Sequence, residues 1–107
     1  MSLKTQILAL AGKAKTKAVK GVGIDGLYVK EYSAGDREQI ENLITQNQKS
    51  GTIRATIFAK SACDKDGVRL FNDDDVAKIN ELPVSLVNAV FDESNKLNGI
   101  TDDHEKN

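Results

Sequence analysis

The densest set of groups able to do chemistry lies between Asp64 and Asp75, where the chain reads Asp-Lys-Asp-Gly-Val-Arg-Leu-Phe-Asn-Asp-Asp-Asp. An Asp-x-Asp-Gly string suggests a calcium loop, whose sixth position is a glycine that allows a sharp turn while carboxylates at fixed offsets close around the ion. With Gly67 at the sixth position, Asp64 and Asp66 occupy the third and fifth, and Asp73 the twelfth. Position one then falls on Ala62, which has no oxygen to give, and Asp73 stands where a longer glutamate would bind with both oxygens. Two of the strongest ligands are thus missing or shortened, and the run reads instead as an Asp-Gly turn followed by carboxylates at a helix start. No metal is expected.

His104 stands in an acidic terminal stretch with Asp102, Asp103 and Glu105, far from any frame that would hold a ligand set rigid. Cys63 is the one cysteine, which excludes an internal disulfide and a thiolate zinc cluster, and its apolar neighbours point to a buried structural thiol. The glycines from Gly21 to Gly26 lack the Lys-Ser/Thr ending of a phosphate loop. No catalytic residue and no cofactor follow from these patterns, so an enzyme is not expected.

The composition agrees with a binding protein. The 107 residues suffice for one core, and 39% hydrophobic with 29% charged residues is ordinary for a globular chain. A formal net charge of -1 supplies no global field toward nucleic acid or an anionic membrane. Leu3 to Ala11 is broken by Lys4, Thr5 and Gln6, and no stretch approaches the roughly 20 apolar residues of a membrane span, so a cytosolic location is expected. One local asymmetry stands out: Lys4, Lys13, Lys15, Lys17 and Lys20 all precede the first acidic residue, Asp25. Without arginine or interleaved aromatics, such a stripe contacts phosphates weakly and without sequence preference. A regulatory module touching nucleic acid through this arm is the second reading.

The elements that would position these groups can be read in order. Leu3, Ile7, Ala11, Ala14 and Ala18 recur at helical spacing and predict an amphipathic first helix with a weak apolar face. Ala18 to Val22 and Leu27 to Tyr32 flank Ile24-Asp25-Gly26 and predict a short hairpin. Ser33 with Asp36 forms a capping-box pattern, so a helix follows with Ile40, Leu43, Ile44 and Asn47 as its buried stripe, ending in the polar stretch from Gln46 to Gly51. Ile53 to Cys63 fits strand alternation and helix spacing, the helical match being longer. Val68 to Phe71 reads as extended, and Asn72 with Asp75 as a second capping pair before a helix through Val76, Ile79 and Leu82. Pro83 suits the first turn of a last helix that carries Leu86, Val87, Val90, Phe91 and Leu97 inward and closes at Gly99. The expected fold is mainly α (α+β): four to five helices in one compact domain over residues 1–100 with a small N-terminal β-hairpin. The acidic residues 101–107 are expected to be disordered.

Three blocks taken together point further: Leu27-Tyr28-Val29-Lys30-Glu31-Tyr32-Ser33-Ala34-Gly35-Asp36-Arg37, the stretch from Asp64 to Val76, and Leu97-Asn98-Gly99. Across roughly residues 19 to 99 the chain resembles the tail assembly chaperones of long-tailed phages and prophages. The resemblance implies a helper made in the host cytoplasm and absent from the mature virion. Its partner would be the tape measure protein, kept soluble until tail tube subunits polymerise around it. It also implies self-association into a homo-oligomer and contact with tail tube subunits, and it carries no catalytic residues, cofactor, membrane or nucleic acid. Apolar residues spared by a small core are the expected contact surface: Leu3, Ile7, Leu8 and Leu10 on the first segment, with Val87, Val90 and Phe91 on the last helix.

Overall fold

A computed structural model describes residues 1–46 and 49–99. They form five α-helices and a three-stranded antiparallel sheet, in the order α1 (Leu3–Ala9), β1 (Thr16–Ala18), β2 (Tyr28–Lys30), α2 (Ala34–Thr45), α3 (Ser50–Ser61), β3 (Ala62–Cys63), α4 (Val76–Ile79) and α5 (Val84–Asn98). The expected α+β class with a small hairpin is the one observed.

Helix α1 starts where the Ser2 hydroxyl accepts the Thr5 N–H at 3.1 Å, and it passes into a 3-10 turn over Leu10–Gly12. It is shorter than the alanine spacing predicted. Beyond Gly12 the chain extends, and Thr16, Lys17 and Ala18 pair with Lys30, Val29 and Tyr28. An apolar stripe made only of alanines buries too little surface to hold a helix against the ladder bonds offered by β2. The hairpin loop is also wider than the turn expected. It runs from Val19 to Leu27, closed by the Val19 N–H to Leu27 carbonyl bond at 2.9 Å, and it turns through Gly26 at φ 84°, a conformation that a Cβ disfavours.

Sheet order is β1-β2-β3, with Tyr28 opposite Cys63 and Val29 opposite Ala62. Helix α3 and strand β3 are continuous, so both readings of Ile53 to Cys63 hold in part: helix through Ser61, then strand. Ala55, Phe58, Ala59 and Ala62 join Val29, Ile79 and Val90 in the core, with Val19 and Leu27 from the hairpin. The alanines of α3 let α5 and the sheet approach closely, which a bulkier stripe would prevent.

Five further expectations are corrected. In α2, Ile40 is fully buried, but Ile44 is 45% exposed because only one narrow face of the helix meets α3; Asn47 lies outside the described residues. Gly51 belongs to the first turn of α3 rather than to a linker. Val68 to Phe71 makes a single bridge, Cys63 to Arg69, in place of a strand. Helix α4 ends at Ile79, short of Leu82, and Pro83 is the cap residue before α5 rather than part of its first turn.

The Leu-Asn-Gly ending fastens the last helix to the rest. Gly99 takes φ 65° and donates its N–H to the Asn95 carbonyl, the usual left-handed helix stop. One residue earlier, the Asn98 amide oxygen accepts the Tyr32 N–H at 2.9 Å, and its nitrogen donates to the Ser94 carbonyl at 3.0 Å. The Tyr32 hydroxyl and Ser94 Oγ lie 2.7 Å apart, and Arg37 donates to the Asn98 carbonyl. The end of β2, the start of α2 and the end of α5 are thereby held at one point.

Burial pushes the Tyr32 phenol up to about 12, so the unfolded chain loses this proton first. Stability should be intact below about pH 10 and decline as the pH rises toward 12. Denaturant titrations from pH 9 to 12 should show this decline in the wild-type protein and a shallower one in Tyr32→Phe.

Candidate interaction surface

The carboxylates of the Asp64 to Asp75 run are occupied with local structure. Asp64 Oδ1 accepts the N–H groups of Asp66 and Val68 at 2.8 and 3.0 Å, closing the turn in which Gly67 sits at φ 82°. Asn72 Oδ1 accepts the Asp74 N–H, and Asp75 Oδ2 accepts the Asn72 N–H at 3.0 Å, so the second capping box is present in both directions. Among the described residues, no group of three or more His, Cys, Asp or Glu is placed to hold a metal ion. His104 lies outside them. Cys63 is buried, and desolvation pushes its thiol up to about 11, where it is a poor nucleophile at neutral pH.

Asp73 takes part in a network that sequence reading missed. Lys60, only 2% exposed, sends its ammonium to Gln39 Oε1 at 2.6 Å, Asp36 Oδ1 at 3.2 Å and Asp73 Oδ2 at 3.2 Å. Arg69 donates to Asp73 at 2.9 Å and twice to the Ala59 carbonyl. The Arg69 hydrogen bond, more than Lys60, holds the Asp73 carboxyl below its ordinary value. The first capping box is incomplete for the same reason: Ser33 accepts the Asp36 N–H, while the Asp36 carboxylate turns to Lys60. A groove of about 350 Å³ lies over this network, walled by Gln39, Asn42, Leu43, Thr56 and Val76. A lysine in the helical stretch from Ile53 to Cys63 was the available signal. Its two carboxylate partners, Asp36 and Asp73, are distant in sequence, so spacing alone does not connect them.

The expected contact residues divide into two groups. All of α1 is exposed, and no residue in it is buried. Leu3, Ile7, Leu8 and Leu10 are 76, 64, 63 and 63% exposed. At 100° per residue Leu3, Ile7 and Leu10 fall on one stripe, with Leu8 beside Lys4 on its flank. On α5 the placement differs. Val90 is fully buried and belongs to the core, so no partner reaches it in this conformation; Val87 is half-buried against the same core. Phe91 is half-buried under the Arg54 guanidinium, 5.1 Å from its ring centroid, while Arg54 also donates to Asn88 at 2.8 Å.

The basic arm is dispersed by the fold. Lys17 pairs with Glu93 at 3.0 Å across β1 and α5, while Lys4 is exposed on α1, Lys13 and Lys15 on the segment before β1, and Lys20 in the hairpin loop. Among the described residues no helix is long and apolar enough to cross a membrane.

These features define a class: a small α+β domain with a tightly clasped body and one apolar N-terminal helix left outside it. No family model and no curated protein sequence matches the chain. Among solved structures, the bacteriophage HK97 tail assembly chaperone has the same fold. It superposes with a TM-score of 0.65 over 95% of this chain and 100% of that one, at 18% sequence identity.

Proposed function

We propose that this protein is a phage or prophage tail assembly chaperone that acts in the host cytoplasm by binding the tape measure protein and holding it soluble until the tail tube forms. The observation that carries the reading is the likeness in fold to the HK97 chaperone along the whole of that chain. The three sequence blocks that resemble the family support it, because in this fold they are the β2-to-α2 junction, the turn before α4 and the α5 clasp. Helix α1 supplies the contact surface. A stripe with anchors at i, i+4 and i+7 suits the groove of a helical partner, and no core contact competes for it. Val87 and Phe91 extend the surface on α5.

Binding of this kind needs no catalytic group. A long helical protein with exposed apolar stripes aggregates unless something covers them, and a small domain present in many copies can do so by burial alone. Co-expression with the tape measure protein of the same phage should keep that protein soluble and bring it down with the chaperone. Leu3→Ser, Ile7→Ser and Leu10→Ser combined should cut recovery about tenfold or more, as losing a small cluster of anchors does. The melting temperature should stay unchanged, since none of the three side chains is buried. Undiminished recovery with the triple variant would remove α1 from the proposal, and a tape measure protein equally insoluble with and without the wild type would remove the function itself.

A further inference from the structure

Strand β1 is an open edge. In the order β1-β2-β3 it pairs on one side only. The Lys15 carbonyl accepts the Glu31 N–H, Lys17 stands opposite Val29, and the Val19 N–H goes to the Leu27 carbonyl, so the odd residues spend their backbone groups on β2. By the alternation of an antiparallel ladder, Thr16 and Ala18 turn their N–H and C=O groups the other way. Among the described residues nothing bonds to these groups. The edge is also basic. Lys17 meets Glu93 at 3.0 Å, while the exposed Lys13, Lys15 and Lys20 make no ion pair among the described residues. Glu31, the acid nearest Lys15, turns a carboxylate oxygen to the Lys15 N–H.

Lysines on an edge strand keep like strands away. Two copies of β1 joined antiparallel, Thr16 to Ala18, would set Lys17 against Lys17, and like charges directly opposite disfavour pairing. The same charges favour a strand of the other sign. We infer that β1 takes on, as a fourth strand, an extended segment of a different protein that carries acidic side chains at alternate positions. Thr16 and Ala18 supply the ladder bonds, and the acidic side chains lie beside Lys15 and Lys17, which as alternate residues point to one face. Lys13 and Lys20 flank the two ends. Only two residues of β1 offer outward bonds, so affinity for an isolated segment is low and charge supplies the selectivity. This edge is a different segment from the α1 stripe, so strand addition here and tape measure binding through α1 can each fail alone.

Fluorescence anisotropy on the full chain with a labelled synthetic peptide of about seven residues, alternating glutamate and threonine, tests this. Binding should be saturable, and exchanging the glutamates for lysine should raise the dissociation constant about tenfold or more. N-methylation of the threonine amides, which meet Thr16 and Ala18, should cost about tenfold through lost ladder bonds. N-methylation of the glutamate amides, which point away from β1, should cost little. Ala18→Pro removes one outward donor and no bond to β2, so it should weaken binding about fivefold with an unchanged melting curve; the methylated peptides decide the matter if that variant does not fold. Lys13→Glu with Lys15→Glu should turn the preference toward the lysine peptide. No binding at the highest peptide concentration reached, or equal binding of the two methylated peptides, would overturn the inference. So would displacement of the peptide by a single-stranded oligonucleotide with no effect of methylation, which gives the lysines to phosphate, or a dimer of the free chain that Ala18→Pro abolishes, which gives the edge to a second copy.

Discussion

Replacing both carboxylates that face the buried ammonium, Asp36→Ala together with Asp73→Ala, is expected to destabilise the fold by about 3 kcal/mol or more. Lys60 is 2% exposed, and without these partners its charge keeps only the Gln39 amide oxygen at 2.6 Å. Most of the loss is the cost of leaving a cation desolvated and unpaired, not the worth of the two ion pairs. Lys60→Met should therefore cost far less, about 1 kcal/mol or less, because it keeps the aliphatic stem and removes the charge that needs solvation. Of the two carboxylates it leaves, Asp36 is 28% exposed and returns to water, and Asp73, 56% exposed, keeps its bond from Arg69. Urea denaturation of the double variant, of Lys60→Met and of all three changes together measures this directly. An equal loss for Lys60→Met, which keeps the stem, would show that the ion pairs themselves contribute net stability. The network also sets a direction with pH. The Asp73 carboxyl is held low in the folded state, so its contribution is present above the ordinary carboxylate range and is lost as the pH falls through it. Asp73→Asn should flatten the acid limb of the stability profile.

Phe58→Ala is the second large effect, expected to cost about 3 to 5 kcal/mol. The ring is 2% exposed, in the core shared by α3, the sheet, α4 and α5. It meets Phe71 edge to face, with centroids 5.5 Å apart and planes at 67°. Truncation opens a cavity among Val29, Ile79 and Val90, whose β-branched side chains have few rotamers with which to close it. Phe58→Leu keeps most of the volume and should cost less than about 2 kcal/mol. Combining it with Phe71→Leu should reveal a coupling of about 0.5 to 1.5 kcal/mol from the edge-to-face pair. Differential scanning calorimetry gives all three values. A near-neutral Phe58→Ala would mean that the core collapses onto the site, against the packing seen here.

Residues whose partners are near in sequence were readable in advance. The Ser33, Asn72 and Gly99 caps and the Asp64 turn each close through hydrogen bonds spanning no more than four residues, so residue type and spacing carry the whole signal. The core stripe of α3 was readable because Ala55, Phe58 and Ala59 keep helical spacing whatever packs against them. Misreadings occurred where a distant group decided. Local spacing carries the first helix through Ala18, whereas β2, which captures Thr16 to Ala18, lies beyond a nine-residue loop. Ile53 to Cys63 satisfied two periods at once, and β2 selects the strand portion by pairing with Ala62 and Cys63. Val90 was placed with the contact surface and is instead a core residue, since the α5 sequence alone cannot say which part of a wide apolar face the sheet and α3 will cover.

The Asp64 to Asp75 run shows where the division falls. Its sequence alone established that Ala62 and Asp73 make a poor calcium loop, that Asp-Gly turns the chain, and that Asn72 and Asp75 cap a helix, because all these are local geometry. Tertiary structure alone decided that Asp73 reaches the buried Lys60, that Arg69 turns inward and that Val68 and Leu70 face outward. Side-chain direction in an irregular segment depends on what lies beneath it, here the Ala59 carbonyl and the Lys60 ammonium. The same reason governs α1: spacing made it a helix with an apolar stripe, and only the packing of every other element left that stripe uncovered.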